Sequence, residues 1–377
     1  MIYLDNQATT PCDPRVVAAM LPFFTERFGN AHSAEHAMGQ DAEHAVETAR
    51  AQIAALIGAE PREVVLTSGA TEANNIAIKG VARYAASQGS ARRRVVTVAT
   101  EHKCVLESVA DLRAEGFDPV FLPVDADGRV DAAALQAALA EPTVLVSIMA
   151  ANNETGVLQD LARLADITHA AGALFHTDAA QALGKIAFDV AGIDLASLSA
   201  HKVYGPKGVG ALYVRRRPRA RLQPLFSGGG QERGLRSGTL PTPLVVGFGE
   251  ACRLAGLEMD AEADRIGRLR DRLLAGLQHG LPGLRVNGSI AHRLPGNLNI
   301  TLPHTDAIAA MRAAPELCVS TGSACSSAEV APSYVLAAMG LSAAAAARTL
   351  RLGLGRFTSA KDVEVAIQAL STITELV

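Results

Sequence analysis

The sequence predicts an α/β fold: a large domain built on a mostly parallel seven-stranded sheet, followed by a smaller α+β C-terminal domain. Three observations carry this. At 377 residues the chain is too long for one ordinary hydrophobic core and suits two lobes. Between about residues 60 and 215, short β-type runs alternate with helical or loop segments. Beyond residue 242 the pattern becomes a long helix and then a second, shorter set of strands and helices.

Taken in order, the β-type runs are 63–67, 94–99, 120–123, 144–149, 174–177, 195–199 and 210–214, several ending in turns that carry polar residues or glycine. Such alternation is the βαβ pattern of a helix-covered sheet, with function expected at the strand ends. Segments 71–87 and 160–171 read as intervening helices. Residues 242–279 hold apolar positions at helical spacing, weakened only by Gly247, Gly249, Gly256, Gly267 and Gly276. Strands are then expected at 297–302 and 317–320, and helices at 306–313, 332–339 and 360–376. The boundary is placed inside the long helix, giving a large domain at 15–255 and a small one from 1–14 with 256–377.

Composition limits the function. A hydrophobic content of 49% and a formal net charge of −3 describe a soluble globular protein with neither a nucleic-acid nor a membrane partner. Residues 1–5 show no basic leader, and the most apolar internal run, 144–151, is far short of the roughly 20 residues of a membrane helix. A cytoplasmic location is therefore expected. The cysteines (12, 104, 252, 318 and 325) are odd in number and scattered, which fits a reducing compartment and neither a disulfide framework nor a metal site. The run Arg215-Arg216-Arg217-Pro218-Arg219-Ala220-Arg221 reads as a solvated face or a contact for an acidic protein.

The chemistry concentrates at strand ends. Asp178 closes one apolar run, and Lys202 directly follows another in Ser199-Ala200-His201-Lys202. A lysine that bonds an aldehyde and a carboxylate that holds a pyridine nitrogen protonated are what pyridoxal 5'-phosphate requires. Lys207, in a proline–glycine turn, is the competing lysine and reads as reaching solvent or a backbone carbonyl. Thr67-Ser68-Gly69-Ala70-Thr71-Glu72 joins a strand to a helix, where free N–H groups and the helix dipole favour a phosphate; an ordinary capped helix start is the plainer reading. Ser199 and His201 add donors. His102, just past a strand, can stack on the ring and move a proton near neutral pH. Arg351 alternates with apolar residues as in a strand and can fork onto a substrate carboxylate. Cys325, among serines, glycine and alanines, reads as an accessible thiol. Cys318 and Cys252 read as core, and Cys12 and Cys104 have no assigned role.

Together, Tyr3-Leu4-Asp5-Asn6, Thr67 to Glu72, Thr100 to Lys103, Asn152 to Gly156, Asp178 to Gln181, Ser199 to Lys202, Gly228 to Gly234, Arg236 to Thr239, Ser320 to Ser327 and Arg351 to Phe357 resemble the cysteine desulfurases of the NifS/IscS kind. These belong to the fold-type I, class V aminotransferase-like pyridoxal-phosphate enzymes, and the cysteine segment is similar to that of group I. The resemblance implies that Lys202 bonds the cofactor, Asp178 binds its ring nitrogen, His102 stacks on it and Gln181 reaches its phenolic oxygen. It implies that Ala70, Thr71, Ser199 and His201 hold the phosphate, joined by Thr239 from the other subunit of a homodimer. Asn153 and Arg351 would grip the substrate carboxylate, and Cys325 would take sulfur from L-cysteine as a persulfide and pass it to a sulfur-acceptor protein for iron–sulfur assembly or thiolation. Ala200, Gln7 and Ala31-His32 depart from the usual pattern. So does the end at Val377, without the tail by which housekeeping members dock a scaffold, which leaves the recipient open. A selenocysteine lyase or an aminotransferase on the same fold would share Lys202, Asp178 and Arg351. A non-catalytic scaffold would lack the cofactor's colour.

Overall fold

The computed structural model describes residues 1–321 and 333–372. Its strands are β1 (Ile2–Tyr3), β2 (Val64–Thr67), β3 (Arg94–Val98), β4 (Asp118–Leu122), β5 (Thr143–Ser147), β6 (Leu174–Asp178), β7 (Leu195–Ser199), β8 (Gly210–Val214), β9 (Arg285–Val286), β10 (Asn297–Thr301), β11 (Leu317–Cys318) and β12 (Thr349–Gly353). The main sheet has the order β2-β8-β7-β6-β5-β3-β4. Its strands from β7 to β4 run parallel, and β8 alone runs against its two neighbours.

Burial on both faces explains why these strands read as continuous apolar runs. Successive side chains point to opposite faces. Val64, Leu66, Val96, Val98 and Val146 join the core under helices Ala37–Leu56 and Thr242–Gly280. Their neighbours Val65, Val95 and Leu145 join the core under Ala70–Ser87 and Lys103–Asp111. All seven expected runs are strands, with ends shifted by one or two residues. The start of β4 was hidden by Pro119, which an edge strand tolerates because its N–H side needs no partner.

The long helix Thr242–Gly280 runs through both expected lobes. Its residues up to Ala255 join the large core, and Ile266, Leu273 and Leu277 join another with β10 and β12. Three of the glycines that weakened its pattern, Gly247, Gly249 and Gly276, are contact points. A Cβ on Gly249 would lie 2.5 Å from Ala49 Cα, and one on Gly276 would lie 2.5 Å from Ile367 Cδ1. Close helix packing outweighs the roughly 1 kcal/mol propensity penalty of each glycine. The second core is served by the antiparallel sheet β12-β10-β9 and by the parallel pair β1–β11, which returns the N-terminus to this region. Leu4 is fully buried there. Among the described residues no helix is long and apolar enough to cross a membrane.

Candidate active site

A cavity of about 910 Å³ opens at the C-terminal ends of the parallel strands. Ala70 and Thr71, His102, Asn153, Asp178, Gln181, Ser199, His201, Lys202 and Arg351 all line it. Thr239 is exposed and is not among the lining residues, and Cys325 lies outside the described residues. Lys207 is exposed at residue level and also borders the cavity.

The floor is built from adjacent strand ends. Asp178, the last residue of β6, is buried; its Oδ2 accepts from Asn74 Nδ2 at 2.7 Å and its Oδ1 from the Ala180 N–H at 2.9 Å. Both oxygens are thereby fixed beside the cavity. Glu101 lies behind, fully buried, with Oε1 accepting from the Met149 N–H at 2.5 Å. Desolvation, reinforced by Asp178, raises its pKa well above the usual carboxylate range, so a neutral Glu101 adds no second negative charge there. His102 caps the helix Lys103–Asp111: its Nδ1 accepts from the Cys104 N–H at 3.3 Å and lies 3.0 Å from Cys104 Sγ. With Nδ1 accepting, Nε2 is the ring nitrogen left to carry a proton.

Lys202 follows β7 in a short 3₁₀ turn, Ala200–Lys202. Its Nζ donates to the carbonyls of Gln7 at 2.5 Å and Ala8 at 2.6 Å. Those carbonyls belong to an N-terminal segment that the sequence reading did not place at the site. His201 Nδ1 lies 3.0 Å from Thr9 Oγ1. Burial, with the charges of Lys202, Lys207 and Lys185, lowers its pKa to about 4, so it presents a neutral ring.

At the opposite end, the helix Ala70–Ser87 starts at Gly69 without a side-chain cap, and a Cβ on Gly69 would meet no atom within 4 Å. The Glu72 carboxylate caps Ser68 N–H instead, at 2.7 Å, and is itself held by Arg236 Nε at 2.7 Å. The backbone N–H groups of the first turn thus border an open cradle next to Ser199 and His201, the donor set a phosphate needs. Gly210 on β8 comes so close behind that a Cβ there would lie 2.7 Å from Gly69 Cα.

The remaining wall carries Arg351, buried on β12. Its Nη1 donates to Asn153 O at 3.0 Å and its Nη2 to Asp5 Oδ1 at 2.6 Å. Arg351 Nε and Asn153 Oδ1 are buried without a hydrogen-bond partner. A donor and an acceptor left unsatisfied beside a cavity fit a zwitterionic ligand. Glu154, accepting from Ser333 Oγ at 2.5 Å, is raised in pKa by burial. Among the expected bystanders, His36 caps the helix Ala37–Leu56 through Nδ1, which accepts from Gly39 N–H at 3.1 Å, and is not among the lining residues.

An α/β fold with a lysine and a buried aspartate at adjacent strand ends, and an anion cradle beside them, is an arrangement that a phosphorylated carbonyl cofactor fits. The chain belongs to the aminotransferase class-V family, whose model matches residues 2–365. It is 56% identical over 365 residues to the cysteine desulfurase IscS of Anaeromyxobacter sp. (strain Fw109-5), covering 96% of this chain and 90% of that protein. It is 50% identical to the cysteine desulfurase of Homo sapiens, covering 97% of this chain and 80% of that one. Among solved structures it is similar to a NifS-like protein, with a TM-score of 0.92, 35% identity and full coverage of both chains. It is also similar to SspA in complex with cysteine, with a TM-score of 0.83, 37% identity and coverage of 95% and 100%.

Proposed function

We propose that this protein is a pyridoxal-phosphate-dependent cysteine desulfurase that converts L-cysteine to L-alanine and takes the sulfur onto Cys325 as a persulfide. The observation that carries the reading is the single cavity shared by Lys202, Asp178, the Gly69–Ala70 cradle and the Arg351–Asn153 wall. When bound, pyridoxal phosphate supplies an electron sink for charge developing at the substrate's α-carbon.

The chain's own residues divide the remaining work. The N–H groups of Ala70 and Thr71, with Ser199 and His201, hold the phosphate, and Thr239 of a second copy completes that end in a homodimer. Asp178 holds a proton on the ring nitrogen because Asn74 and the Ala180 N–H fix its carboxylate. His102 covers the ring, and Gln181 reaches its phenolic oxygen. Lys202 would bond the cofactor's aldehyde and, once freed by substrate, would take the substrate's α-proton onto its Nζ. Arg351 and Asn153 orient the substrate carboxylate, for which Arg351 Nε is the unpartnered donor.

Cys325 accepts sulfur with balanced chemistry: thiol plus L-cysteine gives persulfide plus L-alanine. Support for its proximity comes from its flanks. Ser320 exchanges backbone hydrogen bonds with Arg351, and Ser333 and Tyr334 line the cavity. The switch of the long helix between cores, from Ala255 to Ile266, supports division into a cofactor lobe (15–255) and a lobe of 1–14 with 256–377 that bears Arg351 and Cys325. A cytoplasmic sulfur-acceptor protein, serving iron–sulfur assembly or thiolation, is the destination this reading implies.

The test is turnover of L-cysteine under reductant by wild type and by Cys325→Ala. The reading expects equimolar alanine and sulfide from wild type and collapse in the variant, with the yellow colour kept in both. Equal turnover in both, strong preference for selenocysteine, or alanine formed only with a keto-acid partner would overturn it.

A further inference from the structure

A second lysine lies behind the first. In the turn after β6, Gln181 and Lys185 stand four residues apart, and Lys185 Nζ donates to Gln181 Oε1 at 3.1 Å. The other end of the same amide, Gln181 Nε2, donates to Gln7 O at 2.9 Å. Gln7 O is also the carbonyl that accepts from Lys202 Nζ at 2.5 Å. A chain of hydrogen bonds therefore runs Lys185, Gln181, Gln7, Lys202. The turn is locked from behind, since a Cβ on Gly184 would lie 2.3 Å from Val203 Cγ2.

A glutamine side chain is nearly symmetric in shape, so its partners decide which end is oxygen and which is nitrogen. An ammonium can only donate and a carbonyl can only accept, so Lys185 and Gln7 O together fix Oε1 on the lysine's side and leave Nε2 toward Gln7 and the cavity. We propose that Lys185 is a positioning residue that holds the Gln181 amide with its N–H end facing the ring oxygen of bound pyridoxal phosphate. The inference rests on the cofactor reading above and goes beyond it, since Lys185 does not line the main cavity.

Lys185 has surroundings suited to this. It borders a small pocket between the two cores with Gln7, Tyr204, Glu262 and Leu354. It is intermediate in residue exposure, yet desolvation lowers its pKa to about 7, helped by Lys202 and Arg351 and opposed by Glu262.

The experiment is a spectral pH titration of the visible band of the cofactor-loaded protein, comparing wild type, Lys185→Met, Lys185→Arg and Gln181→Ala with and without Lys185→Met. Methionine fills similar volume without a buried amine, so the fold is expected to hold. With Lys185→Met, the amide loses the partner on its Oε1 side and is held by Gln7 O alone, so its N–H end is aimed less firmly at the ring oxygen. The titration midpoint should rise by about half a unit or more, as that donor is weakened, and Lys185→Arg should restore it. In the Gln181→Ala background, Lys185→Met should add nothing. Gln181→Glu, which has no N–H to give, should raise the midpoint with Lys185 in place and needs no change at the lysine.

A Lys185→Met midpoint equal to wild type would overturn the proposal, even with a lowered melting temperature. The same shift with and without Gln181 would also overturn it, by showing that Lys185 acts through charge alone. A wild-type protein with no visible band would instead remove the cofactor reading, and this proposal with it.

Discussion

The two walls of the cavity are built by different rules. One comes from the strand ends of the main sheet: Gly69–Thr71 after β2, His102 after β3, Asp178 on β6, and Ser199 to Lys202 from β7. The other is assembled from Gln7 to Thr9, Asp5 and Arg351, joined by pairings between residues almost a full chain length apart. The first wall follows from a local rule, that parallel strands deliver functional residues at their C-terminal ends. The second obeys no local rule. It exists because β1 returns to pair with β11, and because Asp5 meets Arg351. On the function proposed above, the strand-end wall would serve the cofactor and the composite wall the substrate, and mutations should separate them.

The largest effect should come from the strand-end wall. Lys202→Ala removes the group that moves the α-proton, and kcat should fall by about 10²- to 10⁴-fold or beyond in steady-state assays. On the composite wall, Arg351→Lys keeps the charge but loses the fork. It should cost about 10- to 100-fold in kcat/KM, mostly as raised KM, with cofactor absorbance unchanged. If Arg351→Lys instead bleached the protein, the division between the walls would fail.

Gly210→Ala tests the strand-end wall without touching a chemical group. The added methyl would press on Gly69, costing about 1–3 kcal/mol in thermal unfolding and weakening cofactor retention on dialysis more than it alters KM for cysteine. The smallest effect concerns the sheet beneath. His176 is fully buried between Ser147 Oγ at 2.8 Å and Ser197 Oγ at 3.0 Å, and burial lowers its pKa to about 3. Between its ordinary pKa near 6.5 and about 3, the unfolded chain binds a proton that the folded chain refuses. Stability should therefore fall as pH drops through that window, by at most about 1.4 kcal/mol per pH unit from this group, and should be flat above it. His176→Asn should flatten the acid slope of the melting temperature and leave turnover at neutral pH intact.

The contrast between walls also explains what could be read in the sequence. Asp178, Lys202, His102 and the Gly69 cradle were legible because each sits one short step past an apolar run, and Arg351 because it interrupts alternation within a strand. Gln7, Ala8 and Asp5 carried no such signal: backbone carbonyls are the same in every residue, and Asp5 acquires its role from a partner 346 positions away. Lys185 was visible only as one of six lysines, since nothing local marks a side chain whose partner is a glutamine amide. Cys104 was noticed near the cleft, but its contact with His102 depends on the helix cap. Asn74 was missed because a polar residue one turn into a helix reads as surface, whereas the helix buries it against Asp178.

The central claim is that Lys202, and neither Lys185 nor Lys207 beside it, bonds the cofactor. The most direct measurement is borohydride reduction of the yellow protein followed by peptide mass analysis. The account predicts the reduced pyridoxyl phosphate mass on the peptide containing Lys202 and no absorbing product from Lys202→Ala. The same mass on Lys185 or Lys207, or on no lysine at all, would contradict it.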